Sequence, residues 1–228
     1  HRDLHSFLHD ALPISGEVYY RLGLINSAQR FLFEAMECLP DYNKSVRCVR
    51  RLAETNLING EYKVAEKYLK MLEKTTFYRK WARQTMTLLG NEKAINAHPT
   101  YGWLRRVRLT EDFLFSEDEL DKICGRLVMQ NSTNGMALQY LMLYPVLQRD
   151  VDKFMQYMTF INGKTRYNPR ICQEMIVFAY AQRRQQPPSG YVGAPIRQRF
   201  AGFAQAYSSH GTLELYKNTA WYYLVKGQ

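Results

Sequence analysis

The chain has 228 residues, of which 46% are hydrophobic and 23% charged, and its formal charge is +10 at pH 7. That length holds one generous domain or two small ones, and the composition is that of a globular chain, which excludes a disordered, collagen-like or multi-spanning membrane protein. The longest nearly apolar stretch, Leu138 to Leu147, falls far short of the roughly 20 residues that cross a bilayer.

Residues 1–15 carry His1, His5 and His9 at helical spacing but no cationic leader with a long apolar core, so they are not a signal peptide. The run Asp10-Ala-Leu-Pro-Ile-Ser15 resembles a translated sequencing adapter. Residues 1–15 are therefore expected to be a non-native leader, with the native chain continuing upstream of Gly16. Three imidazoles on one helix face suit zinc or nickel, but the origin of the segment argues against a metal site.

From Gly16 onward the apolar spacing is helical almost throughout, and strict alternation is hard to find, so the fold is expected to be all-α. Gly16, Tyr19, Gly23, Ala28, Leu32, Ala35 and Pro40 are spaced as in a helical hairpin: Gly16 and Ala28 let two backbones approach, Gly23 releases the first helix, and Tyr19 and Leu32 fill the gap. This pattern resembles the tetratricopeptide repeat. A second copy runs through Leu52, Ala53, Gly60, Tyr62, Ala65, Leu69 and Leu72, with Gly60 lying 37 residues after Gly23. The resemblance covers Gly16 to about Lys74. It implies a TPR-like α-α superhelix of about 10–12 antiparallel helices, with residues 16–90 as its first part.

Next, Thr76 to Leu89 reads as a helix ended by Gly90, and residues 91–116 as an irregular connector with short helical turns around His98-Pro99 and Gly102. Residues 117–184 resume helical pairs. Glu117 to Gln130 buries Leu120, Ile123, Cys124, Leu127 and Val128 behind a Ser116/Glu119 capping box. A looser third repeat copy passes through Leu141, Phe154 and Ile161, with Pro145 interrupting its first helix. Asp150 caps a helix to Asn162, and Asn168-Pro169 reads as an N-cap and first helical position of a helix running to about Arg184. Residues 185–195 form a Pro/Gly loop. Residues 196–228 hold two capping helices, Ile196 to Ser208 and Leu213 to Val225, whose Trp221-Tyr222-Tyr223 tail covers the apolar end.

Reactive groups are sparse. His98 and His210 lie beside Pro99 and Gly211 without a partnered Asp or Ser motif, and no phosphate-loop, nucleophile-elbow or zincin pattern occurs. Cys38, Cys48, Cys124 and Cys172 form no CxxC pair and read as small buried hydrophobes. No catalytic residue, metal, cofactor or small-molecule substrate is therefore expected, and the protein is not expected to be an enzyme. The basic residues Arg47 and Arg50 share a helix face with Arg51, and Arg79, Lys80 and Arg83 share another, which makes these five candidate anion-binding positions. Acidic Glu54, Glu61, Glu66 and Glu73 are interleaved and favour a solvated surface over a nucleic-acid site.

The expected function is a non-enzymatic protein-interaction scaffold that takes a protein or peptide partner in a groove, with Tyr19, Tyr20, Arg51 and Asn56 as candidate groove residues. The alternative is a basic module for nucleic acid or an anionic membrane surface. The Gly16 to Pro40 repeat, Ala179 to Arg184, Arg199-Phe200, Phe203-Ala204 and Thr219 to Tyr223 also resemble the C-terminal repeat portion of an uncharacterised family of membrane proteins from the Bacteroides group. That resemblance implies membrane tethering through an upstream part.

Overall fold

The computed structural model describes residues 2–37, 45–109, 119–162 and 167–226, with side chains in the first helix from residue 11 onward. These residues form thirteen α-helices and one 3-10 turn, with no strand among them, so the protein is all-α. It divides into two compact units, 1–137 and 138–228.

In the first unit α1 (Arg2–Leu22), α2 (Ile25–Glu37), α3 (Val46–Asn59), α4 (Tyr62–Glu73) and α5 (Arg79–Met86) each pack on the helix before them. α6 (Glu92–Ala97), α7 (Tyr101–Val107) and α8 (Leu120–Gln130) follow, and α7 also packs on α3. α1 runs unbroken through residues 2–15 and Pro13 into the repeat pattern. The hairpin geometry follows from a few small residues. A Cβ at Gly16 would stand 2.7 Å from Cγ of Leu32, so only glycine lets α1 and α2 approach this closely. Gly23 (φ +94°) and Gly60 (φ +86°) end α1 and α3 in left-handed turns that L side chains resist. Both turns use the same bonds: Gly23 N–H to Tyr20 O and Leu24 N–H to Tyr19 O, then Gly60 N–H to Leu57 O and Glu61 N–H to Asn56 O. The spacing of 37 residues is therefore repeated in backbone geometry.

α3 is the axis of this unit. Its residues Cys48, Val49 and Leu52 through Ile58 are all buried, because neighbouring helices cover it on several sides. Tyr20, Ile25, Leu57, Ala65, Ile95 and Leu104 meet in one cluster, while Val49, Leu69, Leu72 and Ala82 meet in another. Residues 91–116 contain α6 and α7, and Gly102 makes their crossing possible because a Cβ there would run into the Asn96 carbonyl. Arg105 and Arg108 donate to the carbonyls of Leu57 and Ile58, satisfying the C-terminus of α3.

α9 (Gly135–Leu147) crosses the boundary between the units. The second unit continues with α10 (Val151–Ile161), α11 (Arg170–Gln182), α12 (Ala194–Ser208), a 3-10 turn (Glu214–Tyr216) and α13 (Ala220–Val225). α11 packs on α10, α12 and α13 and buries Cys172, Glu174 through Val177 and Ala179. Trp221 is fully buried against Phe200 and Phe203, at ring distances of 5.2 and 5.9 Å. Asp150 caps α10 by accepting from Lys153 N–H.

Several local expectations change. Asn168 is not the cap of α11: its side chain donates to the Tyr191 carbonyl at 2.8 Å, and Pro169 takes the cap position. The helix expected over 76–89 is only α5, because residues 74–78 form a turn closed by Thr75 and residues 87–90 leave the helix toward Gly90. Pro145 lies inside α9, two residues before its end, rather than interrupting it. The helix expected over 213–225 is split, with Thr219 capping a shorter α13 by accepting from Tyr222 N–H. Ser116 of the expected capping box and Pro40 lie outside the described residues, as do the side chains of His1, His5 and His9.

Candidate functional site

A charged cluster opens onto the surface of the first unit. Arg50 and Arg51 each stand about one helical turn before Glu54 on α3, so both reach its carboxylate. Glu54 is buried, with a relative exposure of 2%, yet it holds a carboxylate that ion-pairs with Arg50 at 3.2 Å and with Arg51. The Tyr101 hydroxyl of α7 donates to the same carboxylate at 3.4 Å. On its other side Arg51 is held by a two-pronged contact with Glu17 of α1, at 2.6 and 2.8 Å, and its guanidinium lies 4.3 Å from the ring centre of Tyr20. Glu17 also accepts from Arg21 at 2.8 Å. Arg51 and Glu54 together thus join α1, α3 and α7.

These pairs set the proton affinities. Burial works against the charge on Arg51, but Glu17 and Glu54 outweigh it and hold the proton more tightly than in free arginine. Burial also opposes ionisation of Glu17, and hydrogen bonds from Arg51 and Arg21 prevail, placing its carboxyl below the ordinary 4.5. Burial, with the Glu54 charge beside it, pushes both the Tyr20 and the Tyr101 hydroxyls up, so both stay protonated.

Two adjoining hollows share Arg21, Arg50 and Arg51. The larger, about 740 Å³, lies along α1 and the start of α3 and adds Arg47, Ser45, Ile14 and Tyr78. The smaller, about 350 Å³, reaches Trp81, His98 and Tyr101. Arg50 stretches over the Trp81 indole at 4.9 Å from its centre, which fixes the guanidinium at the rim of both. The linings present four arginines against Glu17 and Glu54, and those two carboxylates are engaged chiefly by Arg51. Arg47 is exposed and makes no ion pair with any described residue. The cleft is consequently electropositive.

His98 closes the smaller hollow. Its ring stacks on Tyr101 at 4.0 Å, and its Nδ1 accepts from the Thr100 and Tyr101 backbone N–H groups, both at 3.3 Å, at the start of α7. Burial lowers its pKa from 6.5, against the pull of Glu54. It serves the architecture of α7, with Nδ1 as the unprotonated nitrogen.

The residues expected from sequence fall into separate groups. Arg47, Arg50 and Arg51 do share one face and line the cleft, whereas Arg79, Lys80 and Arg83 line neither hollow. Arg83 pairs with Glu73 at 2.8 Å, and Arg79 donates to the Glu73 carbonyl. Among the expected groove residues, Tyr20 is buried but lines the smaller hollow, whereas Asn56 is interior: it donates to the Leu52 carbonyl at 2.7 Å and accepts from Gln29. Tyr19 is half-buried and stacks on Phe31. Arg51 lies at the cleft but is saturated by its two carboxylates. Reading the sequence passed over Glu17, Arg21, Trp81 and the burial of Glu54, which had counted as a solvated acid. The available signal was Glu54 itself, which follows Leu52 and Ala53 of the repeat pattern and has Arg50 four residues before it.

Cys48, Cys124 and Cys172 are free and buried, and burial pushes the Cys124 and Cys172 thiols up to about 12, so neither is a nucleophile at neutral pH. Cys38 lies outside the described residues. No group of three or more metal-ligating side chains occurs among the described residues, and no helix among them is long and apolar enough to cross a membrane.

The molecule is thus an all-helical protein whose most distinctive feature is an arginine-lined cleft. The chain belongs to a family of unknown function, DUF6057, whose model matches residues 7–227. No curated protein and no solved structure matches it.

Proposed function

We propose that the protein is a non-enzymatic interaction scaffold whose helical hairpins stack in TPR-like fashion, and that the cleft along α1, α3 and α5 takes an extended acidic segment of a partner protein. The observation that carries this reading is the charge inventory of the cleft: four arginines, Arg21, Arg47, Arg50 and Arg51, face two carboxylates, Glu17 and Glu54, which Arg51 shares with Arg21 and Arg50, so the lining keeps an excess of positive charge. An incoming carboxylate finds guanidinium donors already positioned, Arg50 by Trp81 and Arg21 by Glu17, so little side-chain freedom is lost on binding. The repeated glycine turns at Gly23 and Gly60 and the close crossing at Gly16 support the TPR-like arrangement.

Fluorescence anisotropy with a labelled peptide rich in Asp and Glu tests the reading. Binding should weaken as salt rises, and each of Arg47→Ala and Arg50→Ala should weaken it by about five- to tenfold, the loss of one charge-assisted contact. Equal binding of a lysine-rich peptide, or indifference to both substitutions, refutes it.

A further inference from the structure

The turn between α4 and α5 presents a different kind of surface. Phe77 is 93% exposed, while its neighbour Tyr78 turns inward and meets Trp81 edge-on at 6.4 Å. The turn is held in shape without Phe77: Thr75 Oγ1 donates to the Leu72 carbonyl at 2.7 Å and accepts from Tyr78 N–H, and Arg79 N–H bonds to the Thr75 carbonyl. An ordered turn therefore projects a large apolar ring into water, where it contributes nothing to folding.

The charges around it are mostly positive. Residues 70–83 hold Lys70, Lys74, Arg79, Lys80 and Arg83 against one carboxylate, Glu73, which Arg83 engages, while Lys70 pairs with Glu66 at 2.6 Å. Lys74 and Lys80 are exposed and make no ion pair with any described residue. Met71, 38% exposed on the last turn of α4, adds apolar surface.

We propose that this turn is a peripheral attachment point for an anionic phospholipid surface, Phe77 entering the boundary between head groups and acyl chains while Lys74, Arg79 and Lys80 meet lipid phosphates and carboxylates. A bilayer is the occupant that this chemistry fits. Phe77, Lys74, Arg79 and Lys80 line neither of the two hollows described above, and the turn offers one exposed ring rather than the succession of aromatic platforms on which single-stranded nucleic acid stacks. The proposal is independent of the acidic-peptide cleft, since Arg47 and Arg50 take no part in it.

The test is co-flotation of the whole chain with vesicles of phosphatidylcholine alone or mixed with phosphatidylserine. Binding is expected only to the anionic vesicles and should fall steeply with salt. Phe77→Ala, at a position with no packing role, should weaken it by about tenfold, and Lys74→Glu or Lys80→Glu by about fivefold or more each. Phe77→Trp should retain binding and gain quenching by brominated lipid chains that the parent protein lacks. Failure to float with anionic vesicles at low salt, binding that survives Phe77→Ala, or Phe77-dependent binding of single-stranded DNA or RNA without vesicle binding would each overturn the proposal.

Discussion

Both units are built round one deeply buried helix, α3 in the first and α11 in the second, and each of these helices buries a glutamate with an arginine four residues before it: Arg50 and Glu54, Arg170 and Glu174. The two glutamates have the same relative exposure, 2%. Their remaining partners differ. Glu174 spends its second oxygen on the Ala220 backbone N–H at 2.8 Å, tying the start of α13 to α11. Glu54 instead meets a second guanidinium and a tyrosine hydroxyl, and through Arg51 it reaches Glu17 at the edge of an open cleft. Both pairs border a hollow, that of Arg170 and Glu174 being about 450 Å³, but the pairs differ in what they gather. The Glu174 carboxylate is used within the fold by one arginine and one backbone N–H, whereas Glu54 gathers a cluster of arginines that leaves cations for something else to meet.

That contrast breaks first at the glutamates. Glu54→Ala leaves Arg51 half-buried with one partner fewer and should destabilise the first unit by about 3 kcal/mol, while Glu174→Ala removes one ion pair and one N–H acceptor and should cost about 2 kcal/mol. Urea unfolding midpoints of the two variants check the order, and a larger loss at Glu174 would reverse the comparison. Gly16→Val probes packing without charge. It drives a side chain into Leu32 and should cost about 1 to 3 kcal/mol, leaving the second unit untouched by hydrogen exchange.

Proton linkage gives smaller effects with defined signs. His98 has a lowered pKa in the fold, so its contribution is present above 6.5 and is lost as the pH falls through its folded value, where the protonated ring can no longer accept from α7. His98→Asn, which keeps an acceptor but does not titrate, should flatten stability between neutral and mildly acidic pH. Glu17 acts in a lower window: its lowered pKa gives stability that is present above 4.5 and lost as the pH falls through the folded value. Thermal melts across both windows separate the two groups, because Glu17→Gln should remove only the more acidic loss.

How much of this was legible in the sequence depended on whether a residue acts along its own helix or across helices. Gly16, Gly23, Ala28 and Gly60 announce the hairpins because backbone approach and left-handed turns demand small residues at fixed spacing. Helices with a clear stripe were legible for the same reason: α10 was placed within one residue at each end, and α8 ends at Gln130 as expected but begins at Leu120 rather than Glu117. Arg47, Arg50 and Arg51 were legible as one face. The contacts of Arg51 with Glu17, of Arg50 with Trp81 and of Glu54 with Tyr101 were not, since those partners come from α1, α5 and α7 and meet α3 only in three dimensions. Asn168 misled because Asn-Pro is a good helix start in isolation, and the Tyr191 carbonyl claims its side chain instead. Asn56 looked like a groove residue by repeat position, as Tyr20 did, but α3 is covered on so many sides that Asn56 never reaches a surface, while Tyr20 lines the smaller hollow.

The most direct test of the central claim is the hydrogen-exchange footprint of a bound acidic peptide. An occupied arginine cleft predicts added protection in residues 13–21, 45–51 and 78–81, abolished by Arg47→Ala with Arg50→Ala. Unchanged exchange there, or protection confined to α11 through α13, would contradict it.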